Sequence, residues 1–120
     1  MKRIIALIPA RERSVRIKNK NLKKICKQPL IWWTLEAAKK SKYVDEIYVS
    51  SDSLKILDYS KKNNVETIKR PKNISSHLAT KKEVIYHALD YLKKRTIFLI
   101  ILSTYNQPHH LEQIIILTML

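Results

Sequence analysis

Apolar positions along the chain fall into two rhythms. Short unbroken runs mark buried strands: Ile4 to Ile8, stopped by Pro9, then residues 46–50, the weaker stretch 65–68, and the wholly apolar 97–102. Between these runs the apolar residues recur every three or four positions, as on one face of a helix. Pro29 stands at a favoured first-turn position and opens the first helix. Leu30, Trp33, Thr34, Ala37, Ala38 and Ser41 fall on its inner face, with Glu36 and Lys40 as an outer i, i+4 pair. The second helix spans about Leu54 to Lys62. Ser51-Asp52-Ser53 starts it, and Asn63-Asn64 supplies a left-handed stop in place of glycine. Thr80 caps the third, with Glu83 at the capping-box position, and Val84, Ile85, Ala88, Leu89 and Leu92 form its buried face. Strand and helix therefore alternate up to residue 102, which predicts an α/β fold with a parallel sheet between two layers of helices. There the pattern fails. Residues 103–113 are polar and irregular, and 114–120 are apolar with nothing after them.

Charge changes the meaning of the first strand. It opens into a loop carrying Arg11, Arg13, Arg16, Lys18 and Lys20. Open α/β sheets bind phosphates at the carboxyl ends of their strands, so such a loop is a candidate triphosphate site. Arginine gives forked contacts and lysine a point charge; Ser14 adds a hydroxyl, and backbone N–H groups after Ala10 can form an anion nest. A solvated basic loop is the equal alternative on charge alone. The whole chain of 120 residues, one domain's worth, carries a net charge of +14. That suits either a polyanion partner or lysines spread over wet faces. The basic residues are scattered and lack interleaved aromatics, which argues against a specific nucleic-acid platform.

The chain has no glycine, against an average near 7%. Its turns must be made by Asn, Asp, Ser and Lys, and neither a Walker loop nor a G-x-G-x-x-G turn is possible. A single cysteine, Cys26, excludes an internal disulfide and suggests a reducing cytoplasm. No apolar run reaches membrane-spanning length, and the basic start lacks the cleavage site of a signal peptide.

The stretches IIALIPAR, RIKNKNL, QPLIWWTLEAAKKSKYVDEIYVSSDS, IKRP and VIYHALDYL together resemble the amino-terminal half of the CMP-N-acylneuraminate synthetases, the cytidylyltransferases for sialic, legionaminic and pseudaminic acids. The resemblance covers about residues 3–100. It implies a three-layer α/β/α nucleotide-binding domain of the nucleotide-diphospho-sugar transferase type. It also implies a reaction in which the anomeric hydroxyl of a nonulosonic acid attacks the α-phosphorus of CTP and pyrophosphate leaves. On the family loop, approximately PAR-G/S-G-S-K-x-x-x-x-K-N, Arg11 and Lys20 match positions that stabilise the triphosphate. Ala10, Ser14 and Asn21 match nucleotide contacts, and Arg70 matches a position associated with the cytosine pocket. The resemblance implies Mg²⁺ bridging phosphate oxygens, with carboxylate ligands expected late in a full-length member and not in this chain. The family's dimer-forming segment is likewise missing. Several positions depart from the pattern. Glu12 and Arg13 replace small residues, Val15 replaces a lysine, Lys27-Gln28 replaces Gly-Lys, and His77 and Lys81 stand where Asp and Ser or Thr are common. Glu12 sets a carboxylate against the triphosphate.

The tail carries its own signal. After the fourth strand the family has Gln-Pro-Thr-Ser-Pro-Leu-Arg-Thr, whereas this chain has Tyr105-Asn-Gln-Pro-His-His-Leu-Glu-Gln113. That stretch can be encoded TAC AAC CAA CCT CAC CAC TTA GAA CAA. Read from the third base of the tyrosine codon it becomes CAA CCA ACC TCA CCA CTT AGA ACA, the family motif in full. The expectation is a frameshift between about Lys93 and Ser103. Residues 1–102 are then the amino-terminal half of the domain, and residues 103–120 an out-of-frame tail without function. The chain is expected to have little or no activity of its own.

The other candidates have plainer explanations. Trp32 and Trp33 fit core packing or an interface better than base stacking. His87 has no ligand-spaced partner, and His109-His110 belong to the tail. Cys26 lacks the context of a nucleophile. Asp52 sits at the ligand-facing end of the sheet, where helix capping is the ordinary role.

Overall fold

The computed structural model describes residues 3–11, 22–71, 81–92, 96–102 and 111–118. Strand β1 (Arg3–Pro9) is followed by a two-strand ribbon of β2 (Lys24–Ile25) and β3 (Gln28–Pro29), then α1 (Leu30–Lys40), β4 (Glu46–Ser51), α2 (Leu54–Lys62) and β5 (Glu66–Lys69). Helix α3 (Lys81–Tyr91), β6 (Thr96–Leu102) and β7 (Leu111–Thr118) complete the order. The main sheet has five strands in the order β5-β4-β1-β6-β7. The first four run parallel, and β7 lies antiparallel on β6.

Strand β1 is central because both of its faces are apolar. Ala6, Ile8 and Ala10 pack with Ile31, Leu35 and Ala38 of α1, Val49 of β4 and Ile56 of α2. Ile5 and Leu7 pack on the other side with Tyr48, Ile68 and, from α3, Ala88 and Leu92. The two-residue alternation of the strand thus assigns α1 and α2 to one face and α3 to the other, the expected three layers. Each fully buried Leu or Ile contributes about 1.5–3 kcal/mol relative to exposure. The chain builds outward from β1 through β4 to β5, then crosses to β6 on the other side. The strand order reverses beside β1, and ligands of open α/β sheets bind in the crevice at such a reversal.

Helix α2 matches its expected limits. Ser53 is its N-cap, the Oγ accepting from the N–H of Ile56 at 3.3 Å. Asn64, at φ 63°, makes the left-handed exit without glycine. Helix α1 differs in detail. Pro29 is the N-cap at φ −55° and ψ 147°, so the helix begins one residue later, at Leu30. Its buried residues are Leu30, Ile31, Thr34, Leu35 and Ala38, whereas Trp33 and Ala37 are half-buried. Glu36 pairs with Lys39 at 3.5 Å rather than with Lys40. The buried stripe is rotated from the expected one, and the helix start is tied to the ribbon: the N–H of Leu30 donates to the carbonyl of Lys23 at 2.7 Å.

That ribbon was not expected from the pattern. Cys26 and Lys27 form its two-residue turn, both in the left-handed region at φ 51° and 73°. Two successive positive φ values define the hairpin turn that Asn-Gly ordinarily supplies. The third helix buries Val84, Ala88 and Leu92, with Ile85 and Leu89 packed alongside; Thr80 lies outside the described residues. Strand β7 is a second addition. It runs along the edge of β6 from Thr96↔Thr118 to Leu102↔Leu111, so that edge is paired. A β-branched apolar run pairs with an open edge whatever its origin.

Candidate functional site

At the carboxyl ends of β1, β4 and β5 the chain brings together Ala10, Arg11, Asp52 and Arg70. The strand register sets their arrangement. Pro9 lies opposite Ser50, the last pair of β1 and β4, and Arg11 and Asp52 each follow two residues beyond it. Ser51 lies opposite Lys69, the last pair of β4 and β5, and Asp52 and Arg70 each follow one residue beyond it. Two backbone bonds hold the row. The N–H of Ala10 donates to the carbonyl of Ser50 at 2.9 Å, and that of Arg70 to the carbonyl of Ser51 at 2.8 Å. The alternation that sends Leu7, Tyr48 and Ile68 to the α3 face assigns the same face to Arg11, Asp52 and Arg70.

Burial and charge confirm that the three side chains share one environment. Arg70 is only 5% exposed, and Arg11 and Asp52 are half-buried. Burial lowers the Arg70 guanidinium below the usual arginine value, because desolvation penalises the cation; the Asp52 carboxylate opposes this, and the positive charge of Arg11 adds to it. A charged arginine is seldom buried unless paired. Asp52 does not cap α2, since Ser53 does that, and the Ser53 N–H donates in turn to Ser51 Oγ at 3.0 Å. The capping role expected of Asp52 therefore passes to its neighbour.

Arg11 and Arg70, two of the six residues expected at the nucleotide, thus lie on one rim, while Ala10 is buried on the other face with α1 and α2. Ser14, Lys20 and Asn21 lie outside the described residues, as do Glu12 and Arg13. Arg11 was legible in the basic loop that follows the first strand, and Arg70 through the family resemblance. The part of Asp52 was not, because it depends on the register between β4 and β5. Among the described residues no three His, Cys, Asp or Glu side chains gather to hold a metal ion. Among the described residues of this rim Asp52 is the one carboxylate, beside Arg11 and Arg70, so these residues by themselves do not fit a divalent cation, which needs several oxygen ligands. Trp32 and Trp33 meet edge to face on α1, centroids 5.0 Å apart. A groove lined by Val44, Asp45, Glu46, Asn64, Val65 and Glu66 lies at the opposite, amino-terminal ends of β4 and β5. Among the described residues no helix is long and apolar enough to cross a membrane.

A parallel sheet with a basic rim at its order reversal defines an α/β protein of the nucleotide-binding class. Residues 5–111 match the family model for cytidylyltransferases, and the chain belongs to that family. It is 33% identical over 87 residues to the N-acylneuraminate cytidylyltransferase of Escherichia coli, covering 72% of this chain and 21% of that protein. It is 39% identical over 93 residues to the CMP-N,N'-diacetyllegionaminic acid synthase of Legionella pneumophila, covering 77% of this chain and 39% of that protein. Among solved structures, CMP:2-keto-3-deoxy-manno-octonic acid synthetase complexed with CTP superposes with a TM-score of 0.73 at 21% identity, over 88% of this chain and 41% of that one. The last likeness shows the fold. The chain spans about two fifths or less of the length of each of these proteins.

Proposed function

We propose that this chain is the nucleotide-holding part of a cytidylyltransferase that activates a nonulosonic acid of the sialic, legionaminic or pseudaminic type with CTP, in the cytoplasm. The observation that carries this is the basic rim of Arg11 and Arg70 at the order reversal, in a chain whose relatives are named for that chemistry. Arg11 and Lys20 stabilise the triphosphate charge, Ala10, Ser14 and Asn21 contact the nucleotide, and Arg70 serves the cytosine end. Such catalysis rests on placing fixed cations where charge develops on phosphate oxygens. A divalent cation, when bound, would supply further neutralisation of the triphosphate charge; no residue of this rim corresponds to the carboxylates that would hold it.

The chain as it stands binds CTP without completing transfer. The sugar site, the metal carboxylates and the dimer segment are expected in the portion of the relatives beyond its match. Residues 103–120 are out-of-frame translation, as the Gln-Pro-Thr-Ser-Pro-Leu-Arg-Thr reading of 105–113 supports; most of that motif lies outside the described residues. Resequencing the gene is expected to find a one-base shift that restores the motif and an open frame beyond it, and an uninterrupted frame with no such shift sinks the idea. Pyrophosphate release by the purified chain, with CTP and a nonulosonic acid, is expected to stay at background; CTP-dependent release above it overturns the assignment of inactivity.

A further inference from the structure

Asp52 is the one acidic member of the row, and the nucleotide reading alone gives it no task. Three observations assign it one. It directly follows Ser51, the last residue of β4, as Arg70 directly follows Lys69, the Ser51 partner that ends β5. Helix capping is done by Ser53, so the carboxylate is not needed there. Arg70 is almost wholly buried, yet its backbone is anchored to Ser51, one residue from Asp52. A guanidinium removed from water at this depth needs a carboxylate close by to stay charged and in one place. Arg11, on the other side of Asp52, is a second cation that would otherwise repel it.

We infer that Asp52 is a positioning residue: its carboxylate holds the buried Arg70 guanidinium between β4 and β5 and keeps it apart from Arg11, so that Arg70 meets the nucleotide as a preset cation. Only the last step rests on the CTP reading. The alternative role for a carboxylate at an anion site is plain repulsion, and the two roles differ in sign. If Asp52 positions Arg70, neutralising it disorders the guanidinium and weakens CTP binding. If it merely repels the ligand, neutralising it strengthens binding.

The test uses the full chain with isotopically labelled arginine. The Arg70 guanidinium resonance is identified by its loss in Arg70→Lys. It is expected to be distinct and slowly exchanging in the parent chain, to merge with the solvent-exposed arginines in Asp52→Asn, and to persist in Asp52→Glu, which keeps the charge. Affinity for CTP, measured by calorimetry, is expected to fall about tenfold in Asp52→Asn, the size of one charged hydrogen bond, and to recover in part in Asp52→Glu. No protected guanidinium in the parent chain overturns the inference, as does an Arg70 signal unchanged in Asp52→Asn or tighter CTP binding by that variant. If Asp52→Asn does not fold, loss of the signal in Asp52→Glu overturns it and retention supports it. A parent chain with the protected signal but no CTP binding keeps the pairing and removes the nucleotide assignment instead.

Discussion

The hairpin turn before α1 is the sharpest place to test how a chain without glycine folds. Lys27 sits at φ 73° and Cys26 at φ 51°. For a residue with a Cβ, the left-handed region costs about 1–2 kcal/mol, because Cβ crowds the following carbonyl. Glycine escapes that cost but loses more backbone freedom on folding, about 0.5–1 kcal/mol. Lys27→Gly is therefore expected to stabilise the chain by the difference, about 0.5–1 kcal/mol. For a chain of this length that is a rise in Tm of roughly 2–4 °C. Lys27→Ala keeps the Cβ and is expected to give no such gain. The measurement is urea and thermal unfolding of the three proteins side by side. A Lys27→Gly midpoint equal to or below the parent refutes the reasoning, since it would mean that the turn is not left-handed or that the lysine side chain does something unseen. The resemblance places a glycine of the Gly-Lys pair at this position, and the turn geometry explains why.

Two further outcomes follow from buried polar groups. Thr34 is fully buried on α1 and its Oγ1 makes no hydrogen bond within the structure; Thr34→Val keeps the shape and removes a stranded hydroxyl, so a gain of about 1 kcal/mol in urea unfolding is expected, and a loss of that size contradicts it. Burial raises the Tyr59 pKa above its ordinary value and Glu36 adds to this, against the hydrogen bond to Asn63. The unfolded chain then releases the phenolic proton first, so this contribution is present below about pH 10 and fades as pH climbs from there to the higher folded value. Tyr59→Phe is expected to flatten that alkaline fall in Tm, and an unchanged slope argues against it.

Much of the architecture was legible because single residues carried it. The apolar run ending at Pro9, the Ser53 cap and the Asn64 exit each have one local cause, and the structure keeps all three. The inner face of α1 was less legible. Leu30, Thr34 and Ala38 suit a stripe through Trp33 as well as one through Ile31 and Leu35, and only the angle at which the ribbon delivers Leu30 decides between them. The ribbon itself gave no warning, because the usual sign of such a turn is the glycine this chain lacks. At the site, Arg11 could be placed by the basic loop after the first strand and Arg70 by the family resemblance. Their grouping about Asp52 could not, because periodicity along one strand says nothing about its register against the next.

The central claim is the proposal that the rim of Arg11 and Arg70 is a cytidine nucleotide site. Calorimetric titration of the intact 120-residue chain with CTP and with ATP tests it most directly. The account predicts saturable binding of CTP, much weaker binding of ATP, and loss of the CTP signal in Arg70→Ala. Equal response to both nucleotides, or no binding of either, would contradict it.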